Sequence, residues 1–230
     1  MNGAGAHRNS AVAVIGGTGA EGFGLASRWV RRGIDVIVGS RDVKRAEEAA
    51  ARLREIAQGA EVHGLINEEA AAAAGKVVVT VPFSGQAAIY KSIAESLSAD
   101  AVVVDCTVPL ATTVGGRASR VLGVWEGSAA QQASALLKAD QKVCGAFHSM
   151  SAPAMRDLDA RLEGDVLVCG PREGKSAVRE LVEAIPDLRF VDAGPLENAR
   201  IIEPLTALLI GINRRYKTNH SGIRITGLPD

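Results

Sequence analysis

The chain has 230 residues, 47% hydrophobic and 23% charged, a composition that fills a core and excludes a disordered chain. At roughly 150 residues per domain, this is about one and a half domains' worth of sequence. Basic and acidic residues balance at 26 each and aromatics are only 3%, which argues against nucleic acid as a partner: there is neither a basic excess to track phosphates nor a set of rings to stack bases.

Residues 1–9 are small, polar and rich in glycine and alanine, and read as a flexible N-terminal tail. Met1 to Arg8 lacks the apolar core of a signal peptide, and no apolar run reaches the ~20 residues that span a bilayer. The expectation is a cytoplasmic protein with no membrane partner. Ala11–Ile15 is a short apolar run ending in glycines, as in a buried parallel strand. Phe23, Leu25, Ala26, Trp29 and Val30 then fall at helical spacing, with Gly33 as the stop.

Ile34–Val38 predicts a second strand and residues 42 to 57 a charged, alanine-rich helix. Glu61–Leu65 predicts a third strand, with Asn67 capping a short helix through Ala74. A strand over Lys76–Val81 stops at Pro82, a helix covers 85 to 97, and Ala101–Asp105 is the fifth strand. This alternation indicates βαβ units, a parallel sheet and right-handed crossovers. Residues 112–127 read as a glycine-rich loop and 128–138 as a helix. Strands follow at Gln141–Phe147, Asp165–Cys169 and Arg189–Asp192, with a helix over 174–185. The last helix, 196–213, carries Ile201, Ile202, Leu205, Leu208, Leu209, Ile210 and Ile212, enough to bury much of its circumference. The fold class is therefore α/β, a doubly wound, mostly parallel Rossmann-type sheet with a C-terminal elaboration. Residues 10–230 are expected to form a single domain of this type, with the substrate pocket supplied by its C-terminal part.

Cys106, Cys144 and Cys169 lie far apart and each sits in or beside an apolar run, so they read as packed thiols rather than a disulfide framework or a zinc site. No metal is expected.

The most informative stretch runs from Ile15 to Gly24. Gly17, Gly19 and Gly22 fit G-x-G-x-x-G directly after a strand and at the opening of a helix, the context in which backbone amides cradle a pyrophosphate. The end of the second strand selects the dinucleotide. Where NAD-binding folds place a carboxylate, this chain has Gly39-Ser40-Arg41, with Arg45 one helical turn on. A hydroxyl and two guanidinium groups suit the 2′-phosphate of NADP(H). Asp42 offsets that charge or caps the helix it opens. Thr80-Val81-Pro82-Phe83 and Asp105-Cys106-Thr107-Val108-Pro109 end the fourth and fifth strands, where a nicotinamide ring would lie or where prolines simply terminate strands.

These residues resemble the NADPH-dependent coenzyme F420 reductase family (F420H2:NADP oxidoreductase). The resemblance rests on Gly16-Gly17-Thr18-Gly19, Val38-Gly39-Ser40-Arg41, Thr80-Val81-Pro82, Phe147-His148-Ser149, Val168-Cys169-Gly170 and the long block Asp192–Arg200. It closes on Gly222-Ile223-Arg224-Ile225 and covers about residues 11 to 226. It implies a homodimer that moves hydride between NADP(H) and the deazaflavin coenzyme F420. By resemblance, Thr18, Gly19, Ala20 and Glu21 would wrap the pyrophosphate. Ser40, Arg41 and Arg45 would hold the 2′-phosphate. Val81, Pro82, Val108 and Ala152 would line the nicotinamide, and Ser221 and Gly222 would close over the cofactor. His148 and the 192–206 block would border the deazaflavin.

The chain departs from the family at Glu21, where an apolar residue is usual, at Asp42 in place of a second basic residue, at Phe83 in place of tryptophan, and locally at Met150–Pro153. Among His7, His63, His148 and His220, only His148 falls in the expected crevice, as a donor to the deazaflavin or as a structural histidine at a strand end. No catalytic triad is expected, because both rings carry their own redox chemistry. The alternatives are an NADPH-dependent reductase of another small acceptor (imine, ketone or flavin) and a non-catalytic NADP(H)-binding protein.

Overall fold

The structure is a computed structural model and describes residues 11–228; the tail expected at 1–9 lies outside the described residues. Six strands form one parallel sheet: β1 (Val12–Ile15), β2 (Val36–Ser40), β3 (Val62–Ile66), β4 (Lys76–Val79), β5 (Val102–Asp105) and β6 (Lys142–Gly145). Their spatial order is β3-β2-β1-β4-β5-β6. Val14 pairs with Val38 on one side and Val78 on the other. These strands are valine- and isoleucine-rich because both faces of the sheet are covered, and β-branched side chains pack well on a pleated surface.

The period of two divides the core. Val12, Val14, Val38, Val78 and Val104 face one layer, while Ala13, Ile15, Val77, Val79 and Val103 face the other. On the first face lie α1 (Ala20–Val30) and α2 (Val43–Arg54), buried through Leu25 and Trp29 and through the stripe Ala46, Ala50 and Leu53. On the second lie α3 (Asn67–Ala72) and α4 (Phe83–Ile93), the latter through Ile89, Tyr90 and Ile93. The strand order reverses between β1 and β4, so their carboxyl ends open into the crevice where doubly wound sheets bind ligands.

Beyond β5 come a short 3-10 turn at Ala111–Val114, α5 (Ala129–Ala135) and α6 (Ala152–Arg156). Two further parallel strands, β7 (Gly164–Val168) and β8 (Leu188–Asp192), form a separate two-stranded sheet crossed over by α7 (Arg172–Glu183). An antiparallel bridge between Gly145 and Cys169 joins it to the large sheet. Val166, Val168, Leu188 and Phe190 share the core of Val12 and Val14. Trp29 Nε1 donates to the Leu181 carbonyl at 2.9 Å, tying α1 to α7.

Several elements depart from the sequence expectation. β2 begins two residues later, because Gly33 turns the chain at φ +76° and Asp35 accepts from Glu61 N at 2.8 Å, leaving Ile34 and Asp35 as connection. Asn67 is the first residue of α3 and not its cap. β4 is shorter than expected and α4 starts earlier, at Phe83, immediately after Pro82. The last helix, α8 (Ala199–Tyr216), follows a 3-10 turn at Leu196–Asn198 and buries Ile202, Ala207 and Leu209, whereas Ile201 and Leu208 stay exposed.

Candidate dinucleotide site

After Ile15 the chain turns through Gly16 at φ +80°, a conformation open to glycine. A Cβ on Gly22 would stand 2.9 Å from both the Gly16 carbonyl oxygen and Gly17 Cα, so α1 packs this closely on the loop only without a side chain there. Gly17 and Gly22 are buried, while Gly19 and Ala20 are exposed. Gly19 is the N-cap of α1 and supplies no side-chain cap, which leaves first-turn N–H groups and the positive helix end open to an anion.

The loop borders a cleft of about 750 Å³ lined by Gly16, Thr18, Gly19, Ser40, Arg41 and Arg45, with Thr80, Val81 and Pro82 opposite. Asp42 serves as the N-cap of α2: its Oδ1 accepts from Lys44 N at 2.9 Å and from Arg45 N at 3.4 Å. The carboxylate is thus committed to the helix, and the guanidinium groups of Arg41 and Arg45, both exposed, stand at the same rim. Ser40 is buried and its Oγ accepts from Asp42 N at 3.2 Å, leaving the hydroxyl proton free to donate. The donor set and the cradle fit a dinucleotide bearing a 2′-phosphate.

Val108 is half-buried just past β5, where the Thr107 hydroxyl donates to Asp105 Oδ2 at 3.2 Å with the Val81 carbonyl 3.4 Å away. Ala152 opens α6, which packs on α1 where Gly24 meets Met155. Ser221 and Gly222 line a different cleft of about 600 Å³, between Ser149–Ser151 and Leu162–Asp165. They are held there by Asn213, whose Oδ1 accepts from Ser221 N at 3.1 Å and from its Oγ at 2.6 Å. The structure therefore gathers the residues expected for the pyrophosphate and the 2′-phosphate, and leaves Ser221 and Gly222 apart from them.

Glu21 is half-buried on the first turn of α1. Burial, with the Asp105 charge adding to it, pushes its carboxyl up to about 8, so it is largely neutral at pH 7 and adds little repulsion to a pyrophosphate. Asp105, fully buried at the end of β5, accepts from Gln86 Nε2 and Tyr90 Oη, both at 2.8 Å, and from Thr107 N at 3.1 Å. Burial holds it up at about 6 against these bonds. His148 is only 4% exposed, and neither ring nitrogen has a hydrogen-bond partner. Burial pushes it down to about 4, so the imidazole is neutral at pH 7.

Sequence reasoning missed Asp105, Tyr90, Gln86 and Glu203 as a polar interior. The available signals were a carboxylate closing the run Val102-Val103-Val104 and a lone acid inside an apolar helix.

A family described as NADP oxidoreductase, coenzyme F420-dependent, matches residues 11–109. The F420-dependent NADP reductase of Methanothermobacter thermautotrophicus is 43% identical over 223 residues, 95% of this chain and 96% of that protein. That of Methanocaldococcus jannaschii is 40% identical over 222 residues, 94% and 98% of the two chains. Among solved structures, an Arthrobacter sp. FB24 protein assigned as an F420-dependent NADP-reductase matches with a TM-score of 0.79 at 23% identity, covering 95% of this chain and all of that one. Plasmodium falciparum pyrroline carboxylate reductase, solved with NADP bound, matches with a TM-score of 0.59 at 12% identity, covering 91% and 66%. Those two likenesses are of fold. The identity to the curated relatives, sustained along nearly the whole chain, places this protein in the F420-dependent NADP reductase family.

Proposed function

We propose that the protein is an oxidoreductase that transfers hydride between NADP(H) and the deazaflavin coenzyme F420. The observation that carries this reading is the cleft at the sheet's switch point, where the uncapped start of α1 meets Ser40, Arg41 and Arg45, in a chain of this family. The nicotinamide and deazaflavin rings supply the redox chemistry when bound. The chain's part is to bind and orient. Thr18, Gly19, Ala20 and Glu21 receive the pyrophosphate between Gly17 and Gly22, and the Ser40 hydroxyl and both guanidinium groups take the 2′-phosphate. Val81, Pro82 and Val108 would exclude water from the nicotinamide side, and Ala152 is assigned to that side by the family resemblance alone. Rate then comes from holding two reacting carbons about 3–3.5 Å apart, which needs no acid–base residue.

A homodimer is part of this proposal, supported by the exposed Ile201 and Leu208 on α8. So is a cytoplasmic location, supported by three buried free cysteines and by the absence, among the described residues, of a helix long and apolar enough to cross a membrane. The balanced charge leaves nucleic acid outside the set of partners.

The test is direct. Purified protein should bleach the visible absorbance of oxidised F420 when NADPH is added and restore it with NADP+ and reduced F420. Failure in both directions with intact nucleotide binding rejects F420 as the acceptor and turns the search to imines, ketones and flavins. Failure to bind either nucleotide rejects the whole reading.

A further inference from the structure

Beside the arginine rim of the dinucleotide cleft, a buried side-chain amide has an unused acceptor. Ser40 ends β2 and pairs in register with Ile66, the last residue of β3, so Asn67 and Glu68 follow directly beside Arg41 and Asp42. Asn67 lines the cleft and is only 3% exposed, yet its Oδ1 has no hydrogen-bond partner. The amide does not serve the helix it opens: the N-cap of α3 is Ile66, and no side chain caps it. A Cβ on Gly39 would stand 3.2 Å from the same oxygen, so the amide lies against bare backbone.

A buried carbonyl oxygen without a partner is costly, and alanine or leucine would fill this place without that cost. The adjoining residues define the ligand group it faces. Ser40, Arg41 and Arg45 receive the 2′-phosphate in the nucleotide reading proposed above, on which this inference rests. In NADP(H) that phosphate and the adenine sit on adjacent carbons of one ribose, so the base lies close to the same rim. Asn67 and Glu68 bound that space, and Ala88, Ile89 and Ser92 of α4 also line the cleft. Adenine presents an apolar face and an edge on which an amine donor adjoins ring-nitrogen acceptors. The asparagine amide carries the complementary acceptor and donor.

We propose that Asn67 reads the base of the dinucleotide: its Oδ1 accepts from the exocyclic amine of adenine, which makes the cleft selective for an adenine nucleotide. The terminal torsion of asparagine is broad, so rotation about Cβ–Cγ presents the oxygen to the cleft, and the missing side chain of Gly39 leaves room for it. The arginines cannot supply this selectivity, because they meet a phosphate that is the same whatever the base. Glu68, half-buried in the same lining, is the rival acceptor. A carboxylate beside the 2′-phosphate is repelled by it, which favours the neutral amide.

The test compares NADPH with its hypoxanthine analogue, in which a carbonyl oxygen replaces the exocyclic amine, by fluorescence titration of the full-length protein. The reduced nicotinamide is the reporter in both, and neither F420 nor turnover is involved. The unsubstituted protein should hold NADPH about tenfold more tightly than the analogue, the worth of one hydrogen bond in a buried site. Asn67→Ala should bring the ratio of the two Kd values close to one by weakening NADPH binding, with circular dichroism confirming the fold. Should that variant not fold, Asn67→Leu, of similar volume, reads the same ratio. Glu68→Ala should leave the ratio as it is. A preference that survives in the folded Asn67 variant, or one that disappears in Glu68→Ala, overturns the inference. Equal affinities in the unsubstituted protein overturn it too, and leave the nucleotide reading standing. If neither nucleotide binds, both readings fall.

Discussion

Tyr90 Oη donates to Asp105 Oδ2 at 2.8 Å, fastening α4 to the end of β5 inside the apolar interior. The phenol itself is wholly buried, and burial together with the Asp105 charge raises its own ionisation well above the ordinary range, so it remains a donor at any working pH. Tyr90→Phe preserves the ring and removes one donor from a buried carboxylate. We expect a loss of about 1–3 kcal/mol, the cost of leaving such a group short of a partner. At roughly 2–4 °C per kcal/mol for a chain of this size, the loss is legible in thermal unfolding. An unchanged Tm would mean that Asp105 is satisfied without the phenol.

The rim of the cleft makes a claim about cofactor choice. Arg41→Ala with Arg45→Ala should weaken NADPH binding far more than NADH binding, since each charged hydrogen bond to the 2′-phosphate is worth roughly 1.5–3 kcal/mol. Both side chains are exposed and neither supports the core, so the double variant should fold normally. Equal losses for the two nucleotides by calorimetry would show that these arginines do not read the extra phosphate. Asp42→Ala separates the cap from the charge: it should cost about 0.5–2 kcal/mol of stability and leave the nucleotide preference in place.

What the sequence made legible was local. The valine runs of β1, β4 and β5 and the glycine turn between Ile15 and α1 could be read because strand burial and a tight strand-to-helix turn both write short-range patterns. The second strand was displaced because its start is set by partners outside it: Asp35 is spent on Glu61, while Gly39 and Ser40 pair with Leu65 and Ile66. Helix α6 was missed altogether. It is five residues long with Pro153 near its start, and the carbonyls at its end and just beyond are satisfied by the buried Arg28, which donates to Ala154, Met155, Asp157 and Ala160 from more than 120 residues away. The polar interior of Asp105, Tyr90, Gln86 and Glu203 was unreadable for the same reason, since no spacing rule spans three elements.

The close approach of α1 to the glycine loop gives a steric prediction. Gly22→Ala places a methyl group 2.9 Å from the Gly16 carbonyl oxygen and against the Thr80 hydroxyl, so backbone must move. Overpacking of this kind costs about 1–3 kcal/mol. Because the shift occurs at the helix end that receives the pyrophosphate, we expect NADPH affinity to fall at least tenfold, measured by fluorescence titration. Gly211→Ala on α8 is the control, since a Cβ there meets nothing within 4 Å and that position lies outside the cleft lining.

Glu21 makes the pH dependence testable. Its carboxyl stands at about 8 in the fold against an ordinary value of 4.5, so the folded state binds the proton more tightly than the unfolded chain. The stability it contributes is fully present below pH 4.5 and is lost as pH rises through about 8. Glu203 shifts in the same direction, so the unsubstituted protein should lose stability from pH 4.5 to about 8 through both groups. Glu21→Gln replaces the neutral acid with a neutral amide and should flatten that slope in part. Its Tm advantage should be absent below pH 4.5 and grow steadily up to about pH 8. NADPH binding should follow the same course, weakening above pH 8 in the unsubstituted protein as a charge develops beside the pyrophosphate, and staying level in Glu21→Gln. Parallel Tm curves for the two proteins over this range would place the ionised carboxylate in contact with water and remove Glu21 from the electrostatics of the cleft.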